Sequence, residues 1–298
     1  MLVLNELVLA PAKVNLYLRV CGRRDDGYHL IDSLMVPVSL YDELRIAVRS
    51  VVQTTSPITV WTDSVHLPSG PTNLAYRAAE ALTTALKQSI AVDIQIHKRI
   101  PIGSGLGGGS SDAAAVLLTL NRLLREPLPT PQLADVGAKV GADVPFFIYG
   151  RPAKVSGVGE QVVPTTLGGC LDIVVCSDGH PLSTALVYSQ SRAMPLSLTR
   201  GPAVSNIADF VGGRKPLTDL LVNDLEEAAA QIHPELLCLK TKVMEAGAQA
   251  ALMSGSGSAV FGVWADAQSA AEGAARLRRH ALWAEAVQTL ELSPALGN

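Results

Sequence analysis

Residues 101–112 read PIGSGLGGGSSD, and five of the seven residues from Gly103 to Gly109 are glycine. The stretch joins an alternating segment, AVDIQIHK, to a helix-patterned one, SSDAAAVLLTLNRLL, and constrains the fold more than any other part of the chain. Glycines let the backbone take positive φ and come close to a ligand. The helix that follows offers unpaired N–H groups and the positive end of its dipole. Ser110 and Ser111 add hydroxyl donors, so a polyphosphate is the ligand these features suit. Two phosphate motifs compete for the loop. The pattern G-x-x-x-x-G-K-[ST] fails, because Gly109 stands where the lysine belongs. The dinucleotide fingerprint G-x-G-x-x-G matches at Gly103, Gly105 and Gly108. Yet the strand before it is half-polar, unlike a central parallel strand, and only Glu126, in a proline-flanked turn, is near the acidic position required. A flexible loop with a helix cap is the third reading, though flexible linkers rarely join a clean strand to a clean helix.

The 298 residues are 48% apolar and 17% charged, enough to bury two cores or one large one. Mean hydropathy is +0.27. Alanine supplies much of it, and no run of 18 residues is free of charged or strongly polar side chains, so no spanning helix is expected. The first residues, MLVLNELVLAPAKVN, lack a basic leader and carry Glu6, which argues against a secretory signal. A net charge of −3 gives no pull toward a nucleic-acid backbone or an anionic membrane, and 3 Trp, 6 Tyr and 4 Phe make a poor base-stacking platform. The cysteines Cys21, Cys170, Cys176 and Cys238 form no C-x-x-C pair, which fits neither a zinc knuckle nor a disulfide framework and points to a reducing, cytoplasmic setting.

Along the chain, ELVLA, KVNLYLRV, SLMVPVSL and DELRIAV read as four strands, with the turn GRRDDG between two of them. Thr72 or Asn73 caps a helix over LAYRAAEALTTALK. In AVDIQIHK, Val92, Ile94 and Ile96 point inward. After the glycine loop and its helix come a short helix, LADVGAKV, a strand, FFIYG, and a hairpin, AKVSGVGEQVVPT. Then follow a strand, LDIVVC, a Pro/Gly-rich stretch at 195–216 with no readable role, and helices over LVNDLEEAAAQI and LLCLKTKVMEAG. The tail reads strand AALM, turn SGSGS, strand AVFGVW and helix AQSAAEGAARLRRH. Strands come in pairs, not in β-α-β alternation, so the class is α+β, with a boundary near residue 160.

Three blocks, in this order, resemble the GHMP kinases, small-molecule kinases that hold ATP without a loop lysine. They are Pro11-Ala12-Lys13-Val14-Asn15-Leu16, the loop Pro101 to Asp112, and Ser254-Gly255-Ser256-Gly257-Ser258. Together they span nearly the whole chain, and their joint occurrence is far more specific than any one. Four further stretches resemble the branch of the family whose acceptor is a cytidine-diphosphate-linked polyol. These are Asp26-Gly27-Tyr28-His29, the triple glycine of GLGGGSSDA, Gly141-Ala142-Asp143-Val144-Pro145, and Asn223-Asp224-Leu225-Glu226. The resemblance implies the GHMP kinase fold. Its N-terminal ATP-binding domain (residues 1–160) resembles ribosomal protein S5 domain 2, and its C-terminal domain (residues 161–298) is ferredoxin-like and contributes to the substrate site. The active site lies in the cleft between them. The implied activity is transfer of the γ-phosphoryl of ATP to an alcohol. A homoserine- or mevalonate-type kinase of the same family is the alternative, and a dinucleotide-binding oxidoreductase the more distant one.

Phosphoryl transfer needs positioning, charge stabilisation and a group to take the hydroxyl proton. The resemblance implies Asp143 as general base and Lys13 as its electrostatic partner. An Asp before Pro145 also suits a helix cap, and a strand lysine is usually solvated. Lys13, Asn15 and Tyr17 alternate with Val14, Leu16 and Leu18 and are expected on one face, where Asn15 can hydrogen-bond a catalytic partner or the substrate. The resemblance further implies that Pro101, Ile102, Gly103, Ser104, Gly105, Leu106, Gly107, Gly108, Gly109, Ser110 and Ser111 wrap the ATP phosphates, with Asn73 and Lys98 near the adenosine. Tyr28 and His29 would hold the cytidine end, Tyr188 would form a second aromatic wall, and Thr184 would contact the substrate. Asn73 could at the same time cap its helix, Lys98 could end its strand in solvent, and Tyr188 could simply pack. The Ser254–Ser258 turn is expected on the substrate side of the cleft, or as a tight hairpin. Magnesium is expected with ATP, with no protein ligand assigned; Asp112 is close to the loop but also suits the helix dipole. The implied partners are small molecules, and the chain a monomer or homodimer.

Overall fold

The computed structural model describes residues 3–50, 57–88, 90–125, 127–191 and 207–296. Glu126 and most of the Pro/Gly-rich stretch, residues 195–206, lie outside them. Strands β1 (Val3–Arg23) and β2 (His29–Ser50) run antiparallel along most of their length. Each merges two of the four short strands expected from the sequence. Register shifts at Pro11/Ala12, Asn15/Tyr17 and Val20/Gly22 absorb the breaks in alternation as bulges, which bend a strand without ending it. The N-terminal half continues with β3 (Ile58–Thr62), α1 (Leu74–Leu86), β4 (Ile90–His97), α2 (Gly108–Leu123), α3 (Thr130–Ala138), α4 (Val144–Tyr149), β5 (Ala153–Gly157) and β6 (Gln161–Pro164). The C-terminal half runs β7 (Asp172–Ser177), α5 (Thr184–Gln190), α6 (Ile207–Val211), β8 (Val222–Asn223), α7 (Glu226–Ile232), α8 (Glu235–Glu245), β9 (Ala250–Met253), β10 (Val260–Trp264), α9 (Ala267–Arg278) and β11 (Trp283–Gln288).

One sheet has the order β3-β4-β2-β1-β8, with the β5-β6 hairpin on β2; the other has the order β11-β7-β10-β9. β8 is thus lent by the C-terminal half to the N-terminal sheet, parallel to β1 at Tyr17 and Leu18. Helix α2 is central: Ala113 to Leu118 are all buried, which is why that stretch is apolar all round. Ala12, Val14 and Leu16 of β1 share an apolar cluster with Val175 of β7 and Phe261 of β10, so the two halves are joined by a dry seam beside the cleft. Among the described residues no helix is long and apolar enough to cross a membrane.

Two expected elements are corrected. FFIYG is not a strand but most of α4. Pro145 opens this helix and Gly150, at φ 59, closes it. Phe146, Phe147 and Ile148 are all buried, so a short apolar run carries no period to separate helix from strand. LVNDLEEAAAQI is not one helix: Val222 and Asn223 pair with β1, and α7 begins only at Glu226. The Asn223 side chain accepts a hydrogen bond from Leu225 N at 3.0 Å, a local bond that competes with a helix, and that of Asp224 accepts from Val20 N of β1 at 2.8 Å, a long-range one that holds the run to the sheet.

Candidate active site

The glycine loop opens on a cavity of about 420 Å³. Helix α2 starts at Gly108, two residues before the expected serine. Its N-cap is Gly107, at φ 75, with no side-chain cap. The first turn of a buried helix therefore presents its N–H groups to the cavity without a protein acceptor occupying the cap, which is the arrangement an anion fills. Gly105 holds the loop against the rest of the site. Its φ is 78, and a Cβ there would lie 2.1 Å from the carbonyl oxygen of Ser254. Ser254 Oγ donates to Gly105 O at 3.1 Å, and Ala259 N to Ser104 O at 3.0 Å. The turn between β9 and β10 is thus interlocked with the glycine loop as well as lining the cavity. Gly105→Ala is expected to destabilise the fold by about 2–4 kcal/mol, from the left-handed backbone and the overlap together. Chemical denaturation, with and without ATP, measures this; a loss under about 0.5 kcal/mol would show that the turn can move aside.

Lys13 reaches the cavity from β1 with 3% of its surface exposed, so the solvated alternative does not hold. Its N–H donates to Leu106 O at 3.0 Å, fastening the strand to the loop. Its Nζ donates to Asn15 Oδ1 at 2.5 Å, and Asn15 Nδ2 to Ser33 Oγ at 2.8 Å. Burial pushes the Lys13 ammonium below the usual lysine pKa, and the negative charge of Asp143 works against that push. Asp143 sits at the N-cap position of α4, yet its side chain makes no capping hydrogen bond. It is half-buried in the same cavity wall. The expected face of Lys13, Asn15 and Tyr17 is corrected: the bulge between Asn15 and Tyr17 inverts the alternation. Tyr17 turns into the apolar seam, its hydroxyl 3.4 Å from Asp32, and Leu18 takes its place in the cavity wall.

Thr184, at the start of α5, lines the cavity, with its hydroxyl 2.8 Å from that of Ser256. Tyr188, one turn on, also lines it, and its phenol pKa is raised by burial and then by the charge of Asp143. The Tyr188 ring lies 5.1 Å from that of His29, tilted by 37°. Tyr28 is 65% exposed, and both Tyr28 and His29 stand outside the cavity wall, at the turn leading into β2. Asn73 caps α1: it accepts from Ala75 N and donates to Pro68 O, each at 2.8 Å. Its neighbours Leu67 and Leu74 line the cavity instead, two residues that periodicity marks only as apolar.

Lys98 does not end its strand in solvent. It lines the cavity and its ammonium is bracketed by Asp42 and by Asp112, the latter at 2.8 Å. Asp42 also accepts from Arg99 N and Ile100 N. This buried cluster ties the residues leading into the loop to the N-terminal part of α2. Burial pushes the Asp112 carboxyl up to about 7 against the opposing pull of Lys98, and the two carboxylates hold the Lys98 ammonium above its usual value despite its burial. Among the described residues no group of three or more His, Cys, Asp or Glu could hold a metal ion.

The chain matches two family models that together cover about half of it, GHMP kinases N terminal domain at residues 73–151 and GHMP kinases C terminal at residues 203–281. It is 41% identical to a 4-diphosphocytidyl-2-C-methyl-D-erythritol kinase of a Geobacter species, over 95% of this chain and 98% of that one. It is 42% identical to the protein of the same name from Syntrophotalea carbinolica, over 93% and 96%. A crystal structure of 4-(cytidine 5'-diphospho)-2C-methyl-D-erythritol kinase superposes with a TM-score of 0.80 at 38% identity, covering 95% of this chain and 99% of the other. Homoserine kinase from Cytophaga hutchinsonii, at 18% identity and a TM-score of 0.69, shares the fold. With relatives this similar over nearly their whole length, and a cavity walled by all three of the blocks that carried the resemblance, the chain belongs to the 4-diphosphocytidyl-2-C-methyl-D-erythritol kinase family of the GHMP kinases.

Proposed function

We propose that the chain is an ATP-dependent kinase that phosphorylates the 2-hydroxyl of 4-diphosphocytidyl-2-C-methyl-D-erythritol, a step of the non-mevalonate isoprenoid pathway. The observation that carries this reading is the convergence of Lys13, Asp143 and the phosphate loop on one cavity. The acceptor oxygen attacks the γ-phosphorus, the bond to the bridging oxygen of ADP breaks, and the hydroxyl proton passes to Asp143. Lys13, whose ammonium feels the charge of Asp143, stabilises the alkoxide as it develops. Main-chain N–H groups of the loop residues 101–111 take the phosphate charge, and Lys98, held by its two carboxylates, supports the nucleotide side.

ATP arrives as its magnesium complex, in which the ion offsets phosphate charge and keeps several waters. Ser110 sets a hydroxyl oxygen in the cavity wall, a donor of the kind this ion takes, and phosphate oxygens and water would complete its shell. Residues 1–160 supply the nucleotide side and residues 161–298 add Thr184 and Tyr188 to the acceptor side. Tyr188, with His29 against its ring and Tyr28 exposed beside it, suits an aromatic clamp for a pyrimidine. Purified protein with ATP and magnesium is expected to release ADP in the presence of 4-diphosphocytidyl-2-C-methyl-D-erythritol. ADP release that ignores this acceptor but rises with homoserine or mevalonate would replace the substrate. Saturable nicotinamide-cofactor binding without ATP competition would replace the class.

A further inference from the structure

The run Asn223 to Glu226 carries part of the family resemblance but has no role in the chemistry above. It lies where β8 leaves the N-terminal sheet and α7 begins. Asn223 is buried, and its amide is fully engaged: Nδ2 donates to Met253 O at 2.9 Å and to Gly255 O at 2.7 Å, and Oδ1 accepts from Leu225 N at 3.0 Å. Glu226 accepts from Met253 N at 3.0 Å, so the chain entering the β9–β10 turn is gripped on both sides. Asp224 accepts from Val20 N and Arg19, and its own N–H donates to Leu18 O, which stitches the run to the strand that carries Lys13.

We infer that Asn223 is a positioning residue for phosphoryl transfer, holding the Ser254–Ser258 turn against Lys13 and the phosphate loop. This rests on the role proposed above for Lys13. The turn leaves no room for a side chain beside the ammonium: a Cβ on Gly255 would lie 2.9 Å from Lys13 Nζ and 3.0 Å from Gly105 O. The turn's own three serine hydroxyls are engaged elsewhere, with Gly105 O, Thr184 and His180 O, and it is Asn223 that bonds the carbonyls of Met253 and Gly255. Without those two donors, two buried acceptors are left unpaired and the turn is free to slide. Lys13, Ser256 and the loop carbonyl Gly105 O would then lose their common reference, and a displacement of about 1 Å at a reacting site is enough to cost rate.

The test is steady-state kinetics of the full chain with 4-diphosphocytidyl-2-C-methyl-D-erythritol as acceptor, below every variant's melting temperature. Asn223→Ala is expected to lower kcat by about 10- to 100-fold while KM for ATP stays within about threefold, and Asn223→Ser, which keeps one donor, to fall between. Leu239→Ala, a buried core position of the C-terminal half, serves as the control: it lowers Tm but keeps the wild-type kcat. Amide hydrogen exchange at Gly257 and Ala259, whose N–H groups close the turn and bond the loop, is expected to speed up in Asn223→Ala only. A kcat within about threefold of wild type in Asn223→Ala, or an equal kcat loss in Leu239→Ala, overturns the inference. If Asn223→Ala does not fold, Asn223→Ser is read by the same criteria. A wild-type chain inactive on this acceptor would instead overturn the substrate assignment, and unchanged exchange in the turn would still refute the hold of Asn223 on it.

Discussion

Asp143→Asn is expected to lower kcat by about 10²–10⁴, the range for loss of a general base. The substitution keeps the shape of the side chain and removes its capacity to take a proton. Folding should be spared, because the Asp143 side chain makes no capping hydrogen bond to α4 and stands half-buried at the cavity wall. KM for ATP should change little, since the proposed phosphate contacts are main-chain N–H groups of the loop and not the Asp143 side chain. A secondary effect has a definite sign. Asp143 is the charge that holds the Lys13 pKa up against burial, so its loss pushes the ammonium further down. The alkaline limb of residual kcat/KM therefore moves to lower pH. Unchanged turnover would remove Asp143 from the reaction, whereas a loss confined to KM would make it a binding residue.

Lys13→Met should cost about 10²–10³ in kcat, the scale for removing one group that stabilises developing negative charge. ATP affinity should fall much less. Methionine matches the lysine stem in volume but leaves Asn15 Oδ1 without its donor and Asp143 without its counter-charge, so Tm should fall, and kcat measured well below that Tm separates lost chemistry from lost folding. The wild-type pH profile carries the same information. An ammonium is charged below its pKa and neutral above it, and burial sets that pKa below 10.5. The alkaline limb of kcat/KM, which reports the free enzyme, is therefore expected below pH 10.5. Lys13→Arg, whose guanidinium stays charged, should lift that limb. If Lys13→Met weakens ATP binding more than turnover, the lysine belongs to the nucleotide and not to the acceptor.

Much of the site was legible because its residues act through local chemistry. A glycine run between a strand and a helix means main-chain N–H groups facing an anion wherever it occurs, and residues 103–110 line the cavity almost throughout. Asn73 was read as a cap and is one, because capping depends only on the next turn of chain. The misreadings share a cause. Tyr17 was assigned to the face of Lys13 by strict alternation, and a bulge that β2 imposes on β1 inverts it. FFIYG lacked a period because every side of α4 is buried, a fact about its neighbours and not about itself.

The sequence by itself determined the family and the position of the glycine loop before its helix, since these follow from residue type and short-range spacing. Only the tertiary structure decided that Lys13 is dry and that Lys98 is pinned between Asp42 and Asp112. It alone placed a turn some 150 residues beyond the loop so that it bonds the loop and closes off the space beside Lys13. Burial and through-space electrostatics depend on which segments the seam between the two sheets brings together, and no local pattern encodes that distance.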